Sequence, residues 1–312
     1  MAYRRSAKSR YAAAKRRSKR LGGVTGSIHY RRSRGRKRTY RKKTSRKMIL
    51  NVSSTKKRDT MINFSNITAT SQIGGTAYST SPAVITGGYT TFNPIVWCAT
   101  GRDNTIATGG TPGNKYYQAT RTATTCFMRG LAENVEIQVS DGLPWQWRRI
   151  CFTYKGINDL LPGLSTAPAF RVSLETSNGW VRTVNALPNN AYRDSLEGVM
   201  FRGVKGVDFN EPLTAPLDPT RITVKYDKTR TISSGNEDGC IRKYKFWHGM
   251  NKNLVYADDE SGGTETTGNF SVQSKAGMGD YIIVDYFLPR AGSTSSNQLI
   301  FNPTASLYWH EK

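Results

Sequence analysis

The side chains with chemistry to offer are cations, and they crowd at one end of the chain. From Met1 to Arg58 there are 23 Lys and Arg and no Asp or Glu; the first acid is Asp59. The other 254 residues hold 23 basic and 22 acidic side chains, a net of +1, although the whole chain is +24. This is a near-neutral body with a polycationic arm. Arg4, Arg5, Lys8, Arg10, Lys15, Arg16, Arg17, Lys19 and Arg20 form a first basic block. Arg31, Arg32, Arg34, Arg36, Lys37, Arg38, Arg41, Lys42, Lys43, Arg46 and Lys47 form a second, with Gly22, Gly23 and Gly26 between them.

Cations at this density suit a polyanion, whose condensed counterions are released as Lys and Arg take their places. The pairs Arg4–Arg5, Arg16–Arg17 and Arg31–Arg32 present guanidinium forks that match phosphate oxygens. Tyr3, Tyr11, Tyr30 and Tyr40 are spread among them, and such rings stack on unpaired bases. Nothing in the arm reads a base sequence, so binding is expected to depend strongly on salt and little on sequence. The plain alternative is a solvated tail that only confers solubility. Self-repulsion and a lack of apolar side chains predict an arm disordered when free. Arg31, Arg32, Arg34, Arg36, Lys37, Arg38, Arg41, Lys42 and Lys43 also read as a nuclear import signal, which implies import receptors as partners.

Catalytic chemistry is missing. The chain has no G-x-x-x-x-G-K-[ST] phosphate loop, no His-x-His pair, no H-E-x-x-H and no G-x-S-x-G. Its only histidines are His29, His248 and His310, so acid–base machinery is scarce, and neither enzyme activity nor a cofactor is expected. Cys98, Cys126, Cys151 and Cys240 show no C-x-x-C spacing and read as reduced, mostly buried thiols rather than metal ligands. Asp258-Asp259-Glu260 lacks the alternating ligands of a calcium loop and reads as an exposed loop. No metal is expected. Arg221, Lys225, Lys243 and Lys245 lie on predicted strands; they are candidate nucleic-acid contacts, or ordinary edge cations that discourage wrong pairing. No apolar leader, membrane-length segment, amphipathic basic face or lipidation motif is visible, so a cytosolic origin and no membrane partner are expected.

The elements that carry these residues are strands. From Lys47 onward short apolar-aromatic runs are split by Gly, Pro, Asn and Ser. Strands are predicted at Arg58–Phe64, Tyr89–Thr100 (an edge or bulge, because of Pro94), Ala123–Met128, Val135–Val139, Pro144–Lys155, Phe170–Glu175, Trp180–Val184, Arg221–Ile232, Cys240–His248, Asp280–Leu288 and Leu299–Trp309. Pro144–Lys155 has apolar residues on both faces, which predicts cover on both sides, one of them by a neighbouring subunit. Residues 65–90 and 261–268 read as loops. Asp194–Phe201 reads as a short helix with Asp194 as N-cap and Glu197 three residues on. Strands separated by turn clusters make this an all-β sandwich or barrel, with the arm at 1–58 and the folded domain at 59–312.

Several blocks are idiosyncratic. Met48-Ile49-Leu50-Asn51-Val52-Ser53-Ser54-Thr55-Lys56-Lys57-Arg58-Asp59-Thr60-Met61 follows directly on the arm. Asn210-Glu211-Pro212-Leu213, Val224-Lys225-Tyr226-Asp227-Lys228-Thr229-Arg230 and Ser234-Gly235-Asn236 come later. Trp247-His248-Gly249-Met250-Asn251-Lys252-Asn253-Leu254-Val255-Tyr256 and Gly277-Met278-Gly279-Asp280-Tyr281 complete the set. In these blocks, which run from residue 48 to beyond 280 and leave 65–120 unmatched, the chain resembles genomovirus coat proteins of the gemycircularvirus type. More distantly it resembles geminivirus coat proteins.

That resemblance implies a single jelly roll, an eight-stranded antiparallel β-sandwich with long loops. It implies self-assembly around circular single-stranded DNA, in the virion and, during assembly, in the host nucleus. A T=1 icosahedral shell of about 60 copies is the expectation from closed symmetry. The arms of such a shell would bring about 1,400 cationic charges to the genome. A cellular, non-specific nucleic-acid-binding protein with a basic tail is the competing expectation. A replication enzyme of the same virus type is argued against by the absent motifs.

Overall fold

In the computed structural model, residues 45–73, 75–88, 93–107, 110–161, 170–187 and 190–312 are described. The candidate contacts from Arg4 to Lys43 lie outside the described residues. Arg46 and Lys47 open helix α1 (Arg46–Ser53), of which only their backbone is described.

Alternating apolar and polar side chains place eight strands in two four-stranded sheets. The first sheet runs β1 (Thr55–Met61), β14 (Gln298–Glu311), β5 (Thr125–Val139), β10 (Cys240–Val255). The second runs β4 (Ile95–Cys98), β13 (Asp280–Pro289), β6 (Trp145–Tyr154), β9 (Thr223–Ile232). Every neighbour in both is antiparallel. Successive long strands cross between the sheets, as β5 to β6, β9 to β10 and β13 to β14, which is the jelly-roll connection. β3 (Ala83–Thr86) extends the first sheet beside β14. β2 (Asn63–Ser65), β8 (Gly179–Val184) and β7 (Leu174–Thr176) form a small sheet, and β11 (Asp259–Ser261) and β12 (Thr264–Thr266) a hairpin. Among the described residues the other helices are α2 (Ile157–Leu160) and α3 (Asn190–Met200).

Some expected boundaries move. β1 begins at Thr55, so Lys56, Lys57 and Arg58 are sheet residues rather than arm. The two runs expected between 123 and 139 are one strand, and β10 continues past His248 to Val255. The 261–268 loop holds the β11–β12 turn, where Gly262 takes φ 63°, a left-handed value that suits glycine in a two-residue hairpin. α3 starts at Asn190, which puts Asp194 inside the helix and not at its N-cap. The helix is set by Tyr192, Leu196 and Met200, which recur every four residues and pack toward the sheet. Its Glu197 is buried, accepting hydrogen bonds from Tyr286 Oη (3.3 Å) and Lys205 Nζ (2.7 Å).

The apolar interior lies between the sheets. At one end Leu131, Leu307, Trp309, Ile283 and Tyr281 pack together. At the other are Ile137, Leu299, Phe301, Trp145 and Trp147, with Phe287 stacked on Trp147 at 6.0 Å and meeting Phe301 at 5.1 Å. The outer face of the second sheet is also buried. Ile150, Phe152, Ile282 and Val284 lie under Leu196, Met200, Phe209 and Ile222 of the same chain. The cover expected from a neighbouring subunit is thus supplied by α3 and the segment that follows it.

Between the two interior apolar groups sits a set of buried charges. Arg149 Nε and Nη2 donate to Asp285 at 2.7 and 2.9 Å, and its Nη1 donates to Glu133 at 2.9 Å. Arg182, from β8, reaches Glu133 at 3.2 Å and Asp285 at 3.5 Å. His248 Nε2 lies 3.2 Å from Glu133, and Trp147 Nε1 donates to Asp285 at 2.7 Å. Burial alone would raise the Glu133 carboxyl, but Arg149, His248 and Arg182 outweigh it and hold it well below the usual range. Burial opposes charge on both guanidiniums. Asp285 and Glu133 overcome it at Arg149, whereas burial prevails at Arg182, and arginine remains cationic in either case.

Removing one partner leaves a buried charge uncompensated, at a cost of about 3–5 kcal/mol. Glu133→Gln is therefore expected to lower the unfolding free energy by that amount, seen in a urea titration as a lower midpoint at an unchanged m-value. Asp280 gives a pH signature. Burial pushes it up to about 6 from 3.8, despite hydrogen bonds from Ser271 (2.9 and 2.7 Å) and Thr100 (3.1 Å). Between those values the folded carboxyl keeps its proton while the unfolded one ionises, so its contribution to stability falls as pH rises through the window. Asp280→Asn is expected to gain on the parent chain across about pH 4–6 and then level off, read from denaturation at a series of pH values.

Candidate nucleic-acid interface

The first sheet has a second face, and β-strand alternation decides what stands on it. In β1 Lys57, Asp59 and Met61 turn inward, which leaves Lys56, Arg58 and Thr60 outward and exposed. The same pleat points Arg129 out from β5, Tyr308 and His310 out from β14, and Lys243, Lys245 and Trp247 out from β10. The cations on this face are Lys56, Arg58, Arg129, Lys243 and Lys245. The acid on it is Glu136, with Lys243 Nζ at 2.9 Å. Lys243 and the amide of Gln138 hold Glu136 below its ordinary pKa. His310 is lowered first by partial burial and then by Arg129 and Lys56, which stand on the same face. Arg129 Nη1 is steadied by Asn251 Oδ1 at 2.6 Å, where the β10 backbone shifts register and Asn251 takes φ 50°.

The four strand cations singled out in the sequence do not form one cluster. Lys243 and Lys245 stand on the exposed face of the first sheet. Arg221 lies ahead of β9, 3.3 Å from Asp218, and also donates to the Gly198 carbonyl. Lys225 is exposed on β9 of the second sheet, and burial and then Lys252 lower its pKa. Sequence reasoning missed Lys56, Arg58 and Arg129 as surface contacts. Alternation along Thr55–Met61 was the available signal for the first two. Lys57, between them, is spoken for: its ammonium donates to the Thr120 carbonyl at 2.7 Å and lies 3.4 Å from Glu311.

The acidic triplet is split between a buried ion pair and an exposed hairpin. Arg121 takes Asp258 with two hydrogen bonds of 2.5 and 2.9 Å while its guanidinium covers the Tyr256 ring at 3.9 Å. Burial would raise Asp258; Arg121 and the Gly268 amide outweigh it and lower its pKa. Asp259 and Glu260 are strand residues of the exposed hairpin. Among the described residues no group of His, Cys, Asp and Glu has the makings of a metal site. The four cysteines are free thiols, three of them buried, and burial pushes Cys98, Cys126 and Cys151 far above the ordinary thiol range. No helix among the described residues is long and apolar enough to cross a membrane.

No family model matches the chain, and no curated protein matches it. Comparison with solved structures gives VP1 of Trichodysplasia spinulosa-associated polyomavirus, in complex with 3'-sialyllactose. It is 10% identical over 74% of this chain and 76% of that one, with a TM-score of 0.11, a likeness too slight to carry any argument.

Each phosphate neutralised on a single strand contributes about 0.7 to the slope of log K against log salt. Replacing Arg58, Arg129 and Lys245 together by Gln in the full chain is expected to reduce that slope by about 2. Fluorescence anisotropy of a labelled oligonucleotide across a salt series measures it.

Proposed function

We propose that this chain is a viral capsid subunit that assembles into a closed shell and packages single-stranded DNA, with genomovirus coat proteins as its kin. The observation that carries the reading is a division of charge across a jelly roll: an eight-stranded body from Thr55 onward with 26 basic and 22 acidic side chains, preceded by 20 cations without one acid. A neutral body packs against copies of itself with little repulsion, and the arm supplies the counter-charge for a polyanion. The exposed apolar side chains of α1, Met48, Ile49, Leu50 and Val52, and of Val204 and Val207 are of the kind that subunit contacts bury. The Arg31–Lys43 run would carry the subunit through nuclear import receptors to the host nucleus, where a shell of about 60 copies would form around the genome.

The mechanism is geometric and electrostatic, with no bond made or broken. A cellular nucleic-acid-binding protein with a basic tail would share the arm but would stay monomeric when free of nucleic acid. Electron microscopy and sedimentation of the purified full chain separate the two. Uniform closed particles that hold nuclease-protected DNA are expected. A monomer that merely coats nucleic acid at every salt concentration would overturn the capsid reading.

A further inference from the structure

The chain has six Trp, and five are buried, from 0% to 8% exposed. Trp247 is 58% exposed on the outer face of the first sheet. It does not hang free. A Cβ placed on Gly130 would lie 2.8 Å from Cζ2 and 3.1 Å from Cη2 of the indole, so the six-membered ring rests against the glycine while more than half of the residue stays exposed. Tyr308 approaches from the opposite side of β5: its register partner there is Gly130, and that of Trp247 is Ala132. The two small residues let the rings lean together across the middle strand, with centroids 5.8 Å apart and planes at 57°. The rings are tilted against each other and not stacked.

Cations surround this pair. Arg58 is the cross-strand partner of Tyr308, Arg129 precedes Gly130, and Lys245 stands two residues before Trp247 on the same face. Like charge argues against a second copy docking here face to face, and it argues for an anionic occupant. An aromatic face among cations serves a ligand that is at once anionic and planar. A duplex keeps its bases stacked and hidden, whereas a single strand offers both base faces and phosphates.

We propose that Trp247 and Tyr308 form a stacking site for an unpaired base, with the adjacent phosphates held by Arg58, Arg129 and Lys245. The site takes single-stranded nucleic acid without regard to sequence, because every base has a flat face. It rests on the reading of the chain as a nucleic-acid-packaging subunit and gives that function a second contact, distinct from the arm.

Because the other tryptophans are buried, contact with a base can quench the emission of Trp247 and not theirs. The full chain is titrated with a fluorescein-labelled oligo(dT), read by anisotropy, and with unlabelled oligo(dT), read by tryptophan emission. Binding is expected to quench emission, and a blunt duplex of equal length is expected to bind without quenching. Trp247→Ala is expected to weaken oligo(dT) about five- to a hundredfold, as loss of one stacked base does, with the salt slope unchanged. Trp247→Phe is expected to restore most of the affinity while removing the quench. If oligo(dT) binds but emission stays constant and Trp247→Ala binds as tightly as the parent, the stacking site is wrong while arm-driven packaging stands. If oligo(dT) fails to bind at any salt, the packaging reading falls with it.

Discussion

Four buried charges hold the register of this sandwich. Glu133, Arg149 and Asp285 come from three long strands of both sheets, and Arg182 from the small sheet, and each is at most 1% exposed. Apolar residues of similar volume would often serve stability as well or better. What the charges add is an address. If β13 slipped by one residue against β6, Asp285 would turn to the other face and leave Arg149 and Arg182 facing a single carboxylate. The guanidiniums also lie on aromatic rings, Arg182 over Trp97 at 4.3 Å and Arg149 near Trp147 and Phe246 at 5.0 Å. Ion pairing and aromatic packing therefore select the same strand pairing.

Once that register is fixed, the two sheets have different fates. The second is sealed on both sides, by the shared interior and by α3 with the segment that follows it. The first is sealed on one side only, and its other face carries cations and aromatic rings that the pleat sends outward. In sequence the basic arm leads through α1 into β1, a strand of this same sheet. Interior charge favours one register, the register decides which side chains face out, and the outward set is the one that suits a polyanion.

Much of this was legible in the chain. Alternation placed Trp145–Tyr154, Thr223–Ile232 and Asp280–Pro289 within a residue or two, because strands half or fully buried keep a strict period of two. The same alternation along Cys240–Val255 puts Ile241, Lys243, Lys245 and Trp247 on one face, but does not tell whether that face is open. Buried charge was not legible. Glu133, Arg149, Arg182 and Lys57 look like surface residues in composition, and only strand neighbours distant in sequence show that each has a partner. The same reason hid the pairing of Arg121 with Asp258, which are 137 residues apart. The start of α3 was misplaced because a plausible cap at Asp194 outweighed the four-residue apolar repeat that begins with Tyr192.

The central claim is that assembly resides in the neutral body and packaging in the cations. The most direct test is to replace every Lys and Arg from Arg4 to Lys47 with Gln in the full chain and measure particle size and nucleic-acid content together. Sedimentation and the ratio of absorbance at about 260 and 280 nm give both, since nucleic acid and protein absorb differently. The account predicts shells of the parent's dimensions with their nucleic acid largely lost. Particles that retain the parent's full load of nucleic acid would contradict it.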